Sequence, residues 1–178
     1  MANPWRRLST RQVHANPWFR VRHDRVQRPD GAPGDWYLVE TAANAAVVAL
    51  DAAGAVCLVG EWVYPMEEFG WSIPSGAVEG DETPLVAAQR ELREETGLRA
   101  ARWEPLGTFY PSQGLATQVS HVFLATELAE GTATPEGTEV LQVAWVPLAT
   151  AWARACQGEL RDSVTLVGLA WARLGRGS

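Results

Sequence analysis

Residues 76–98 read GAVEGDETPLVAAQRELREETGL, and their punctuation predicts a helix over residues 84–96. Thr83 supplies a capping oxygen, Pro84 suits the first helical position, and Gly97 can take the left-handed conformation that closes the far end. On such a helix Glu91, Glu94 and Glu95 fall within an arc of roughly 100°, with Leu85, Ala88 and Leu92 as the adjoining apolar stripe. Glu79, Asp81, Glu82, Glu91, Glu94 and Glu95 stand against only Arg90 and Arg93 in this window. Like charges at i,i+3 and i,i+4 destabilise an isolated helix by roughly 0.2–0.5 kcal/mol per pair, so the arrangement calls for cations or for dilution by solvent. Magnesium answers that need, because it takes oxygen ligands from one or two carboxylates and leaves room for water and phosphate oxygens. For an arbitrary glutamate-rich helix the ordinary alternative is a solvated face, salted here by Arg90 and Arg93.

Outward from the helix, residues 45–50 and 55–62 are apolar runs of strand length around Asp51-Ala-Ala-Gly54. They predict a core hairpin with Gly54 at a positive-φ position. Residues 18–27 and 35–41 read as extended segments flanking the turn-rich RPDGAPG, an N-terminal hairpin. Three more strands are expected at residues 101–110, 119–128 and 140–147. Helices are expected at residues 148–157 and 163–174, the second with apolar Val164, Val167, Leu169 and Trp171. Mixed strands with a few helices imply an α/β or α+β layer fold.

The 178-residue length fits a single domain. Net charge is −6 with no long basic run, which argues against a nucleic-acid surface and leaves a phosphorylated substrate in need of metal ions. No apolar stretch reaches membrane-spanning length, and MANPWRRLSTRQVH lacks the apolar segment of a secretory signal, so a cytoplasmic protein without membrane contact is expected. Cys57 and Cys156 lie far apart without partners at ligand spacing and read as buried, reduced thiols. His14, His23 and His121 read as structural residues, and Trp62 and Trp71 as packing residues.

Gly76, Glu82, Arg90-Glu91-Leu92, Glu94-Glu95 and Gly97-Leu98 reproduce, without a mismatch, the Nudix box Gly-x5-Glu-x7-Arg-Glu-U-x-Glu-Glu-x-Gly-U, where U is aliphatic. A full match arises by chance on the order of once in a billion starting positions. The chain thus resembles the Nudix hydrolases. NPWFRVRHDRVQRPDGAPGDWYLVE, WSIPSGAVEGDETP, HVFLATEL and GELRDSVTLVGLA are similar to the ADP-ribose pyrophosphatase branch. The resemblance implies an α/β fold, a Nudix-type α/β/α sandwich with a mixed β-sheet, and an N-terminal segment, residues 1–41, that helps build a homodimer.

Carried onto matching positions, the resemblance implies that Glu91 and Glu95 coordinate Mg2+, with Mn2+ as a substitute. Glu94 lies in or beside the cluster, and the Ser75 carbonyl serves as an additional ligand. Glu82 and Arg90 take a structural role, the guanidinium orienting carboxylates by paired hydrogen bonds. Gly76 and Gly97 supply conformational freedom. The reaction implied is hydrolysis of a diphosphate: water attacks one phosphorus and the other phosphate leaves, with metal neutralising oxygens and acidifying a bound water. In this branch the base or last ligand comes from a loop outside the box, where Glu139 is the first candidate and Glu136 the second. Trp36, Tyr37, Trp62 and Tyr64 are aromatic candidates for stacking on a base, with Trp36 and Tyr64 taken as the substrate-binding pair.

The sequence departs from the branch at three places: Gln118 stands where relatives often carry an acid, Val63 where an arginine is common, and Gln113 where a proline often marks ADP-ribose specificity. A nucleoside diphosphate sugar such as ADP-ribose is the substrate class implied, with GDP-mannose, dinucleotide cofactors and nucleoside triphosphates within the same chemistry. A non-catalytic module that senses nucleotide sugars is the reading from another class, and the intact Glu91, Glu94 and Glu95 speak against it.

Overall fold

A computed structural model describes residues 2–133 and 140–175. They form two compact units: the residues up to Ala42 with Tyr110–Val119, and Ala43–Phe109 with the chain from Ser120 onward.

The first unit is a three-stranded antiparallel sheet of β1 (Arg6–Ala15), β2 (Phe19–Gln27) and β3 (Pro33–Thr41), in the order β1-β2-β3. The expected pairing of residues 18–27 with 35–41 is present, running from Phe19↔Thr41 to Gln27↔Pro33. Strand β1 was not anticipated: RRLSTRQVHA is polar, and every residue of it is exposed. Residues 110–119 pack along β3, where Val39 N donates to Leu115 O and Thr117 N to Val39 O, each at 2.9 Å. Inside this unit Asp24 is buried. Burial would raise its carboxyl, but hydrogen bonds from Thr10 and Arg22 and the charges of Arg22 and Arg7 bring it below the usual range. Among the histidines, His23 is structural as expected: it stacks on Tyr37 at 4.4 Å and holds Asp35 at 2.7 Å.

The second unit has two sheets and three helices. The first sheet orders β7 (Ser75–Ala77), β4 (Asn44–Ala49), β9 (Ser120–Ala129) and β8 (Arg99–Phe109), with β4 and β9 parallel. The second orders β10 (Gln142–Pro147), β5 (Ala55–Val63) and β6 (Glu68–Ser72), all antiparallel. Helix α1 (Pro84–Thr96) covers one face, and α2 (Leu148–Cys156) and α3 (Ser163–Leu174) pack on the other. Alternation along β4 makes the division: Ala45, Val47 and Ala49 face the cluster containing Ala87, Ala88 and Leu92 of α1, whereas Ala46 and Val48 face Ala151 of α2 and Leu169 of α3. A strand covered on both faces reads as a continuous apolar run, which is why residues 45–49 lack polar alternation. The α/β/α layering is therefore the expected one.

Several expectations are corrected. Strands β4 and β5 turn at Gly54, which has φ 79° as anticipated, but they enter different sheets and share only the bridge Leu50↔Val56. Leu85 is exposed, and Ala87 completes the buried stripe of α1 instead. Cys57 is buried, and burial followed by the Glu95 charge pushes its thiol up to about 12. Cys156, near the end of α2, is exposed. Trp71 packs against the core as expected, whereas Trp62 is 62% exposed on the end of β5 that pairs with β6 alone. No helix among the described residues is long and apolar enough to cross a membrane.

Candidate active site

Helix α1 begins and ends as its sequence requires. Thr83 Oγ1 accepts from Val86 N at 3.3 Å, Pro84 occupies the first turn, and Gly97, at φ 75°, donates its N–H to Arg93 O. Burial of Ala87, Ala88 and Leu92 fixes the rotation of the helix, so the glutamates of its last two turns are carried toward β7. There Ser75 N donates to Glu95 Oε2 at 3.2 Å. Gly76 serves a different purpose from the one expected. Its φ is not positive; instead, a Cβ placed on it would lie 1.9 Å from Glu91 Oε1. The missing side chain is the space that the Glu91 carboxylate occupies. Asn44 Nδ2 donates to Gly76 O at 3.1 Å and pins the strand from the other side, a contact to which the sequence offered no clue.

Arg90 organises the carboxylates. Its Nε and Nη2 donate to the two oxygens of Glu82 at 3.0 and 3.1 Å, and Nη2 also reaches Ala77 O at 2.8 Å. Its Nη1 donates to Glu91 Oε1 at 2.7 Å and Glu94 Oε2 at 3.1 Å. The structural role expected of Glu82 and Arg90 is thus present. The Arg90 hydrogen bonds hold the Glu82 carboxyl below the usual range, and the bond to Glu82, then those to Glu94 and Glu91, raise the guanidinium against its burial. Arg93 Nη2 donates to the remaining oxygen of Glu94 at 3.2 Å. Arg90 thus serves Glu82, Glu91 and Glu94, and Arg93 serves Glu94, while Glu95 takes the Ser75 amide; four carboxylates stand against two guanidinium groups, and the site keeps excess negative charge. Such a surface repels a diphosphate and attracts cations.

The residues present fit a hard divalent cation by two observations: the side-chain donors at the strand are carboxylate oxygens, and the notch at Gly76 lets one of them rest against β7. Among the described residues, no three acidic, histidine or cysteine side chains converge closely enough to enclose an ion. The carboxylates are drawn instead to Arg90, Arg93 and the Ser75 amide.

The other expected residues are placed as follows. Tyr64 is 84% exposed on the single 3-10 turn between β5 and β6, and it does not enter the hydrogen bonds around Arg90. Trp36 lies on β3 in the first unit, edge-on to Trp5 at 5.5 Å. Gln118 and Gln113 belong to the 110–119 segment of that unit. Glu136 and Glu139 lie outside the described residues. A cavity of about 320 Å³ in the first unit, lined in part by Trp18, Arg20 and Glu40, was not anticipated. Glu40 is held there by an ion pair with Arg22, whose Nε lies 3.1 Å from Asp24 Oδ1.

Comparison with known proteins bears on the family and the fold. The family model described as NUDIX domain matches residues 40–165, and that of the nucleoside diphosphate sugar hydrolase N-terminal domain matches residues 5–39. The ADP-ribose pyrophosphatase of Mycobacterium tuberculosis is 31% identical over 91% of this chain and 80% of its own. The CMP-5'-(N-acetyl-N-hydroxy-3-aminopropyl)phosphonate hydrolase of Streptomyces rubellomurinus is 30% identical over 93% of this chain and 80% of its own. A solved structure described as an ADP compounds hydrolase shares the fold at a TM-score of 0.85 and 18% identity, covering 99% of both chains.

Proposed function

The chain belongs to the NUDIX domain family and is a pyrophosphohydrolase, and on that ground we propose that it hydrolyses the diphosphate bridge of a nucleoside diphosphate sugar of the ADP-ribose type. The observation that carries the substrate class is the pair of adjoining matches: a segment typical of nucleoside diphosphate sugar hydrolases at residues 5–39 runs directly into the hydrolase domain at 40–165. In the reaction a water oxygen bonds to one phosphorus, the bridging P–O bond breaks, and the water's proton is lost. From ADP-ribose the products are AMP and ribose 5-phosphate.

Glu91 and Glu95, with Glu94 beside them and the Ser75 carbonyl, are the groups that hold Mg2+, or Mn2+ in its place. A bound divalent ion supplies charge to the diphosphate oxygens and lowers the pKa of a water. Arg90 keeps Glu91 and Glu94 oriented, and Glu82 keeps Arg90 in place. We assign the proton acceptor to Glu139, on the sequence alone, with Glu136 second. Trp36 and Tyr64 are proposed to stack on the base or sugar. The whole chain, residues 1–178, acts as one hydrolase in the cytoplasm, as a homodimer built through residues 1–41.

The test is a panel of ADP-ribose, GDP-mannose, dinucleotide cofactors and nucleoside triphosphates with purified protein and Mg2+, reading phosphate released from the products by an added phosphatase. Nucleoside diphosphate sugars should be turned over and an excess of chelator should stop the reaction. Preference for a triphosphate, or binding of nucleotide sugars without turnover, would overturn the assignment. Glu139→Gln should lower kcat roughly 100-fold or more with little change in KM, as when only the transition state loses an interaction.

A further inference from the structure

The strand that receives Glu91 and Glu95 is short, three residues, and something must set its height against α1. Backbone contacts account for part of it. Pro74 O accepts from Val47 N at 2.9 Å, and Gly76 O from Asn44. The residue that leads into it, Ile73, is fixed from the opposite side of the sheet. Ile73 N donates to Thr165 Oγ1 at 3.0 Å, across 92 positions of sequence. The Thr165 hydroxyl has in turn a single orientation available. It donates to Asp162 Oδ2 at 2.8 Å, and the same oxygen accepts from Thr165 N at 2.7 Å as the cap of α3. With its proton committed to Asp162, the hydroxyl presents a lone pair to Ile73.

We propose that Thr165, oriented by Asp162, is a positioning residue for the metal site: it anchors Ile73 and thereby places Ser75 and Gly76 where Glu95 and Glu91 meet them. The inference rests on the reading of those glutamates as metal-holding groups. Thr165 is fully buried, and a hydroxyl at that position contributes less to packing than the aliphatic side chain that could replace it. The α3 helix is also pressed onto the same segment. A Cβ on Gly168 would come within 2.8 Å of Ile73 Cδ1 and 3.1 Å of Val48 Cγ2, so the helix rides close enough for Thr165 to reach the Ile73 amide. Local rules do not require this threonine, since Asp162 alone suffices to cap α3. The side chain's use is at the strand. The hydrogen bond has no slack: the Ile73 amide, on a residue 1% exposed, has no water to turn to if the hydroxyl is removed. Relief must come from movement of the 73–76 segment.

The experiment compares wild type, Thr165→Val and Thr165→Ser by titrating Mn2+ without nucleotide, following the free ion by electron paramagnetic resonance well below each protein's Tm. Thr165→Val should weaken Mn2+ binding roughly tenfold or more, with a matching rise in the Mn2+ needed for half-maximal turnover, and Thr165→Ser should restore both to within about twofold. Equal Mn2+ affinity in wild type and Thr165→Val overturns the proposal, as does equal impairment of the valine and serine variants. If Thr165→Val does not fold, Thr165→Cys, which keeps the volume but accepts poorly from an amide, carries the same comparison. Glu95→Gln is the control for the underlying reading: wild-type Mn2+ affinity in that variant would remove the metal assignment, independently of what Thr165 does.

Discussion

At the scale of single residues, the site is organised by what is absent from Gly76 and by what Arg90 cannot fully neutralise. Because the obstacle to a side chain at Gly76 is the far end of Glu91, a flexible carboxylate, Gly76→Ala should fold normally. Its Tm should fall by no more than a few degrees while kcat falls at least tenfold, because Glu91 is pushed off the strand. Near-wild-type turnover in that variant would show that the position of Glu91 over β7 is irrelevant to chemistry. Glu82 gives a pH-dependent expectation. Its folded pKa is lowered by Arg90, so the interaction stabilises the protein above the unfolded value, about 4.3, and is lost as pH falls through the lowered folded value. Glu82→Gln should therefore have a lower Tm than wild type at pH 7, and the gap should close as pH is brought below about 4. A gap that stays constant down to acid would mean that the glutamate acts through shape rather than charge.

At the scale of elements, α1 was readable from local sequence at both ends, but the glycine that ends it does more than the helix requires. Gly97 has φ 75°, and a Cβ there would also lie 2.7 Å from Ala133 N and 2.8 Å from Gly131 O. Gly54 has a similar φ of 79° with nothing within 4 Å. Gly54→Ala should thus cost about 1–2 kcal/mol, the intrinsic penalty of a left-handed residue. Gly97→Ala should cost distinctly more, since backbone on the facing loop must move as well. Denaturant unfolding of the two variants measures the difference, and equal losses would mean that the loop at Gly131 yields freely. Strand β4 shows the opposite case to α1. Its apolar run was legible, yet its neighbours were not: it pairs with β9 in parallel, although the adjacent run in sequence invited a hairpin with β5. Burial on both faces selects a central position for such a strand, and a tight turn after it does not compel pairing across that turn.

At the scale of the whole molecule, β1 is the outer strand of its sheet, with all ten residues exposed and with Leu8 and Val13 among its apolar side chains. An exposed outer strand of ten residues, polar apart from Leu8, Val13 and Ala15, offers its backbone groups for pairing with a further strand, and that is the ground for the proposed homodimer. Light scattering should give the mass of two chains at micromolar concentration, and Leu8→Glu should shift the population toward one. A wild-type mass of a single chain would end the dimer reading. The family, the helix that bears the glutamates, its caps, the strand-length runs and the acidic character of the site are all legible in the sequence, because capping, spacing along a helix and turn chemistry act within a few residues of each other. The polar strand β1, the short strands β6 and β7 and the exposure of Trp62 are not, since each depends on a partner or its lack elsewhere in the chain. The same holds for the two features that shape the site most closely. Gly76 reads as a flexible hinge until Glu91 is seen to fill the space above it, and Thr165 reads as one more polar residue on an apolar helix. Its hydrogen bond to Ile73 joins positions 92 residues apart, and contacts of that range arise only when sheets and helices pack, since no local periodicity encodes them.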